Sequence, residues 1–117
     1  MFEYVDWCAS AASAKNVVVA DSDGLILAQR GGTQLEAAMT IGFEQMLRQV
    51  TDILYDFDPK RRTLQGNVTI EHEGRLLITV WAPTAEGQFY TVLIGDSVPT
   101  LSVLRLVAAG LKVVFGE

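Results

Sequence analysis

Cysteine and histidine are nearly missing from this sequence: Cys8 and His72 are the sole examples in 117 residues. One cysteine excludes an internal disulfide and fits a reducing compartment, so a cytoplasmic location is expected. A zinc site draws on several His, Cys or carboxylate ligands. His72 has only Glu71 and Glu73 beside it, and alternation along a strand sends those two to the opposite face. Nothing else in the sequence supports a Cys8–His72 nucleophile and base; Cys8 reads as a small buried apolar residue. Positive charge is also scarce. Nine Lys and Arg stand against fourteen Asp and Glu, a net charge of -5, which disfavours phosphate backbones and anionic membrane surfaces. Lys60-Arg61-Arg62 falls short of a basic patch and reads as a solvated loop.

Long apolar runs are missing too. The most apolar stretch, Leu101 to Phe115, is interrupted by Ser102, Arg105, Gly110 and Lys112, so no membrane insertion is expected. The chain does not open with a basic stretch and apolar run, so no signal peptide is expected. The glycosylation pattern Asn67-Val68-Thr69 then carries no weight in a cytoplasmic chain.

What is present is apolar bulk. Half of the residues are hydrophobic and 20% are charged, enough for one domain, 1–117, with a core of its own. Such an excess predicts apolar area left on the surface for a partner.

Spacing supplies the elements. Phe2, Val5, Cys8, Ala9 and Ala12 fall at helical intervals, predicting a short helix over Phe2 to Ala12. Val17-Val18-Val19-Ala20 suits a strand buried on both faces. Asp21-Ser22-Asp23-Gly24 follows as a turn into a second strand, Leu25 to Gln29. After Gly31-Gly32, Thr33 and Glu36 stand at capping-box spacing for a long helix from Thr33 to Tyr55. Its apolar stripe is Leu35, Met39, Phe43, Met46, Val50 and Ile53, with Ile41 on the polar side. Pro59 ends it. The alternation over Val68 to Glu73 predicts an edge or half-exposed strand. A tight turn at Glu73-Gly74 leads into Arg75 to Trp81, and a longer turn over Pro83 to Gly87 into Phe89 to Ile94. Pro99 opens a last helix to Phe115, apolar on most sides and therefore expected to be buried on more than one. The order α-β-β-α-β-β-β-α predicts an α+β domain: a five-stranded antiparallel sheet, the long helix on one face and the two terminal helices on the other.

Motifs for chemistry are weak. A calcium loop starting at Asp21 needs a bidentate Glu at its twelfth position, which is Gly32, so Asp21 and Asp23 read as turn residues. Gly31-Gly32 lacks the lysine and hydroxyl of a phosphate loop. Arg61 or Arg62 as an arginine finger has no second feature behind it. No catalytic residue, metal or cofactor is expected, and the chain is not expected to be an enzyme.

The ordered motifs resemble the roadblock/dynein light chain family over Asn16 to Phe115. They are Val17-Val18-Val19-Ala20-Asp21-Ser22-Asp23-Gly24-Leu25-Ile26-Leu27-Ala28, then Gly74-Arg75-Leu76-Leu77-Ile78-Thr79-Val80 with Tyr90-Thr91-Val92-Leu93-Ile94-Gly95-Asp96, and the closing helix with Leu101, Leu104, Arg105 and Leu106. The resemblance implies a profilin- or longin-like fold. It also implies a homodimer or heterodimer with paired third strands and adjacent long helices. The dimer interface would take Ala38, Gly42 and Gln45 from the helix and Val68, Ile70 and His72 from the strand. Bacterial members of the mutual gliding-motility protein B type bind a Ras-like small GTPase through the paired helices. By that analogy the partner-binding residues are Ala37, Ile41, Glu44, Arg48 and Asp52, with Ile41 as anchor. The expected function is a non-catalytic dimeric regulator or scaffold acting on the GTPase's nucleotide cycle. The alternatives are a scaffold subunit of a motor or signalling complex without nucleotide effect, and a small-molecule sensor with a cavity lined by Trp81, Phe89 or Tyr90. The short first helix and the charged loop Asp56 to Gly66 depart from the family pattern.

Overall fold

A computed structural model describes residues 1–31, 49, 52–53, 56 and 65–116 of the chain. Helix α1 runs over Phe2–Ala11, followed by strands β1 (Asn16–Asp21), β2 (Ile26–Arg30), β3 (Gly66–His72), β4 (Arg75–Thr84) and β5 (Gly87–Gly95), and by helix α2 (Leu101–Phe115). The strands form one antiparallel sheet in the order β2-β1-β5-β4-β3.

Helix α1 ends where Ser13 turns left-handed (φ 51°) and the Ala14 amide donates to the Ala9 carbonyl at 3.0 Å. That bond satisfies a carbonyl the last turn would otherwise leave open. Helix α2 starts at the Thr100 cap, whose hydroxyl accepts from the Val103 amide at 3.3 Å. Pro99 therefore lies before the cap and not inside the helix. The β1–β2 connection is the expected turn: Asp21 Oδ1 accepts from the Asp23 and Leu25 amides at 2.9 and 3.0 Å, with Gly24 at φ 83°. That oxygen is engaged by backbone.

One boundary moves. Strand β4 continues through Pro83, which pairs with Gln88, and the turn shrinks to Ala85-Glu86. Proline is tolerated there because β3 begins at Gly66, opposite Trp81, so β4 has no β3 neighbour at Pro83.

Both terminal helices cover the same sheet face. Tyr4, Val5 and Cys8 from α1 and Leu104, Val107, Ala108 and Leu111 from α2 share a core with Val17, Val19, Ile78, Val80, Ala82, Phe89 and Leu93. Tyr4 ties three elements together. Its hydroxyl donates to the Val107 carbonyl at 2.8 Å and lies 2.8 Å from Thr91 Oγ1. A phenol has one proton, so Thr91 is the donor in the second bond. Burial holds the Tyr4 phenol far above its ordinary range. Phe2, expected on the buried face of α1, is instead 74% exposed.

The opposite sheet face carries Val18, Ala20, Trp81, Tyr90, Val92 and Ile94, all buried. The long helix expected over this face lies almost wholly outside the described residues. Gln49, Asp52 and Ile53 from its span are helical and exposed, as is Asp56, one residue past its expected end.

Candidate interaction surface

Strand β3 is an edge, as its alternation predicts: among the described residues it pairs only with β4. The hairpin geometry sets which of its groups face outward. Glu73 and Gly74 have φ of 50° and 80°, the left-handed pair of a two-residue type I′ turn. Such a turn closes on a hydrogen-bonded pair, here His72 with Arg75. Counting back by twos, Gly66, Val68 and Ile70 bond to β4. The N–H and C=O groups of Asn67, Thr69 and Glu71 then point away from the sheet.

Side chains follow the same alternation. Asn67, Thr69 and Glu71 are exposed, whereas Val68 and Ile70 are half-buried. The latter stand opposite Thr79 and Leu77, on the face that carries Val18 and Val92. Gly66 admits the Trp81 indole, because a Cβ there would lie 2.4 Å from Trp81 Cζ2. Periodicity in the sequence gives no sign of that close approach.

The two edges of the sheet differ. Edge β2 is five residues long, its pairing with β1 is broken by a bulge between Val19 and Ala20, and Arg30 is anchored to Asp6 at 3.0 Å. Those are devices that discourage further pairing. Edge β3 is seven residues long. Its register with β4 is unbroken from Gly66 to His72, it holds no proline, and Glu71 is the one acidic side chain on it. A regular, nearly uncharged edge of this kind is competent to pair with another strand.

Of the other residues read from the sequence, Asp52 is helical and exposed. Ala37, Ala38, Ile41, Gly42, Glu44, Gln45, Arg48 and Lys60-Arg61-Arg62 lie outside the described residues, as does the side chain of His72. Trp81, Phe89 and Tyr90 are divided between the two faces of the sheet. Trp81 pairs with Tyr90 on one face, and Phe89, one residue on, faces the other. There Phe89 stacks on Phe115 with ring centroids 3.7 Å apart and planes within 2°. Tyr90 meanwhile accepts from Gln88 Nε2 at 2.8 Å.

Chemistry is sparse among the described residues, where no group of three or more His, Cys, Asp or Glu could hold a metal ion. Cys8 is fully buried, and burial pushes its thiol up to about 11. Asp96 lies 2.5 Å from Lys15, whose hydrogen bond holds its carboxyl below the usual range. No described helix is long and apolar enough to cross a membrane.

The whole arrangement matches solved structures. Myxococcus xanthus MglB is similar at 20% identity with a TM-score of 0.64, covering 97% of this chain and 92% of that one. The fold is that of the roadblock domains. A Roadblock/LC7 domain from Streptomyces avermitilis is similar at 19% identity and a TM-score of 0.62, covering 95% and 90%. An MglB with a tetrameric arrangement is similar at 15% identity and a TM-score of 0.59, covering 91% and 77%. No protein-family model and no curated protein matches the sequence. At these identities the roadblock likeness is one of fold, and it agrees with the motif order of the sequence.

Proposed function

We propose that this roadblock-fold chain is a non-catalytic cytoplasmic regulator or scaffold, 1–117 acting as one domain, that pairs with a second copy through β3 and binds a Ras-like small GTPase. The observation that carries the pairing is that, among the described residues, the β3 edge is open while the opposite edge, β2, is protected. Likeness to an MglB in a tetrameric arrangement supports self-association in general. In a symmetric antiparallel contact, Asn67, Thr69 and Glu71 offer the outward backbone groups. Centring Thr69 on its own copy sets Asn67 opposite Glu71 and uses all three positions on both strands. Centring on Glu71 would set two carboxylates face to face, which is unfavourable. On the other face Val68 then stands opposite Ile70 of the second copy and His72 opposite Gly66, with Ala38, Gly42 and Gln45 assigned to the helix contact. Likeness to the MglB structures, together with the motif resemblance, supports the GTPase reading. The surface assigned to it is Ala37, Ile41, Glu44, Arg48 and Asp52.

The test is titration of Ras-like GTPases, loaded with a fluorescent GDP or GTP analogue, with the protein and with an Ile41→Asp variant. The expected result is tighter binding of one nucleotide state, altered hydrolysis or exchange, and loss of both in the variant. Equal binding of both states with unchanged turnover rejects the regulatory role and leaves the scaffold. Absence of binding to every GTPase tried rejects this class of partner.

A further inference from the structure

Given the β3 pairing proposed above, on which this rests, we infer that Arg105 of α2 forms an ion pair with Glu71 of the second copy, twice per dimer, and so selects the register. Helix α2, expected from its all-round apolar pattern to be buried on more than one side, leaves Leu101, Leu106 and Val113 53%, 56% and 78% exposed. Leu106 and Val113 lie towards α1. Leu101 lies towards β3, where it and Arg105 form one wall of a groove of about 200 Å³. Gln65, Gly66 and Asn67, at the start of β3, form the other wall. Among the described residues Arg105 is the one charged side chain in that lining.

The acid stands on the same face. Asn67 is opposite Val80, which belongs to the core shared with α2. Glu71, four residues on, takes the same side of the strand. Glu71 and Arg105 are both exposed, and among the described residues neither has an ion-pair partner. Within one chain Glu71 lies about 13 Å farther along β3 than Asn67, at the rise of an antiparallel strand. The groove that holds Arg105 is at the Asn67 end.

A two-fold at Thr69 brings the two together. It reverses the second strand, so Glu71 of the second copy stands opposite Asn67, about 5 Å away across the ladder and pointing to the same face. The carboxylate then lies at the outer end of the Arg105 groove. A guanidinium offers it a fork of donors, and the Asn67 amide adds two N–H donors beside it. The symmetry repeats the contact, each copy giving one acid and one base. Other registers lose it. A two-fold at Asn67 carries Glu71 of the second copy past Gly66, the first residue of β3, and a two-fold at Glu71 sets carboxylate against carboxylate.

The experiment is sedimentation equilibrium over a concentration series, with circular dichroism as the check on folding. It compares the wild type with Glu71→Arg, Arg105→Glu, an equimolar mixture of those two variants, Lys112→Glu and Val68→Lys/Ile70→Lys. Each reversal turns two attractions in its own dimer into two repulsions and should raise the dimer Kd about tenfold or more. In the mixed dimer the two introduced charges face each other and the two native ones pair as before, so mixing should restore the wild-type Kd. Recovery on mixing reports a contact between chains, which a double reversal in one chain would not. Lys112→Glu makes the same change of net charge on the same helix outside the groove and should leave the Kd unchanged. A wild-type dimer that a reversal leaves intact, that mixing fails to restore, or that Lys112→Glu weakens equally overturns the inference; β3 pairing then stands if Val68→Lys/Ile70→Lys splits the dimer. A wild type that stays monomeric, or a dimer that Val68→Lys/Ile70→Lys leaves intact, removes the β3 pairing and this ion pair with it. Should a reversal variant be unfolded, Glu71→Gln and Arg105→Gln take its place. Each should weaken the dimer severalfold and both together no more than either alone, whereas additive losses overturn the inference.

Discussion

Replacing Gly110 with alanine should destabilise the protein, although the same change in an ordinary helix stabilises it by about 1 kcal/mol. An alanine Cβ at this position of α2 would lie 2.4 Å from Tyr4 Cε1 and 2.8 Å from Cδ1. The ring cannot yield freely, because its hydroxyl is bonded to Thr91 and Val107, both at 2.8 Å. Overfilling a packed site costs about 1–3 kcal/mol, and each buried hydrogen bond lost when the ring swings out costs about 0.5–1.5 kcal/mol more. Set against the helix gain of about 1 kcal/mol, the net loss is about 1–5 kcal/mol if both hydrogen bonds go. At roughly 4 °C of melting temperature per kcal/mol for a domain of this size, the shift is well resolved in thermal and urea melts followed by circular dichroism. The control is Tyr4→Ala, which removes the ring. In that background Gly110→Ala should become stabilising by up to about 1 kcal/mol, a change of sign that reports the contact directly. Stabilisation by Gly110→Ala in the wild type, or an equal effect in both backgrounds, would refute the reasoning.

Four further outcomes are expected. Thr69→Cys at the proposed two-fold centre should form an intermolecular disulfide under mild oxidation while Cys8 stays reduced, read on non-reducing gels; crosslinking at Asn67→Cys but not at Thr69→Cys would reject the register. Cys8 should react with a disulfide reagent on the order of 100-fold more slowly than a free thiol near neutral pH, its pKa lying about two units above the ordinary value of 9.0. Its folded-state pKa is raised, so the linked stability is complete below about 9 and is lost as pH rises towards about 11; flat stability across that window, read by urea melts, would count against a buried neutral thiol. Thr79→Val should raise stability by about 1 kcal/mol in urea melts, because the Thr79 hydroxyl is buried without a hydrogen-bond partner.

The sheet was legible because its signals are local. Four β-branched or small apolar residues in a row announce β1, and the Asp21-Ser22-Asp23-Gly24 turn and the Glu73-Gly74 turn fix two hairpins. The alternation of Val68 and Ile70 with exposed neighbours marks β3 as an edge. What was missed depends on contacts distant in sequence. Pro83 reads as a breaker until β3 is seen to begin opposite Trp81, so that among the described residues no strand needs an N–H at that position. Phe2 and Val113 satisfy helical spacing, but the spacing does not reveal which side of a helix the sheet takes. The placement of Trp81 over Gly66, and of Tyr4 over Gly110, joins residues 15 and 106 positions apart, beyond the reach of any local pattern. Of the candidate site, the strand half was readable from alternation, and the helix half rests on family analogy.

The unequal edges also bear on where assembly stops. A sheet with two open edges is a monomer for a fibre, since every copy added exposes another edge like the first. In this chain the bulge at Val19/Ala20 and the anchored Arg30 make β2 a poor template. Joining two copies through β3 would use up the open edge of each and leave only β2 at both ends of a ten-stranded sheet. The same backbone groups that favour the first association would be spent by it, so strand pairing would terminate at two.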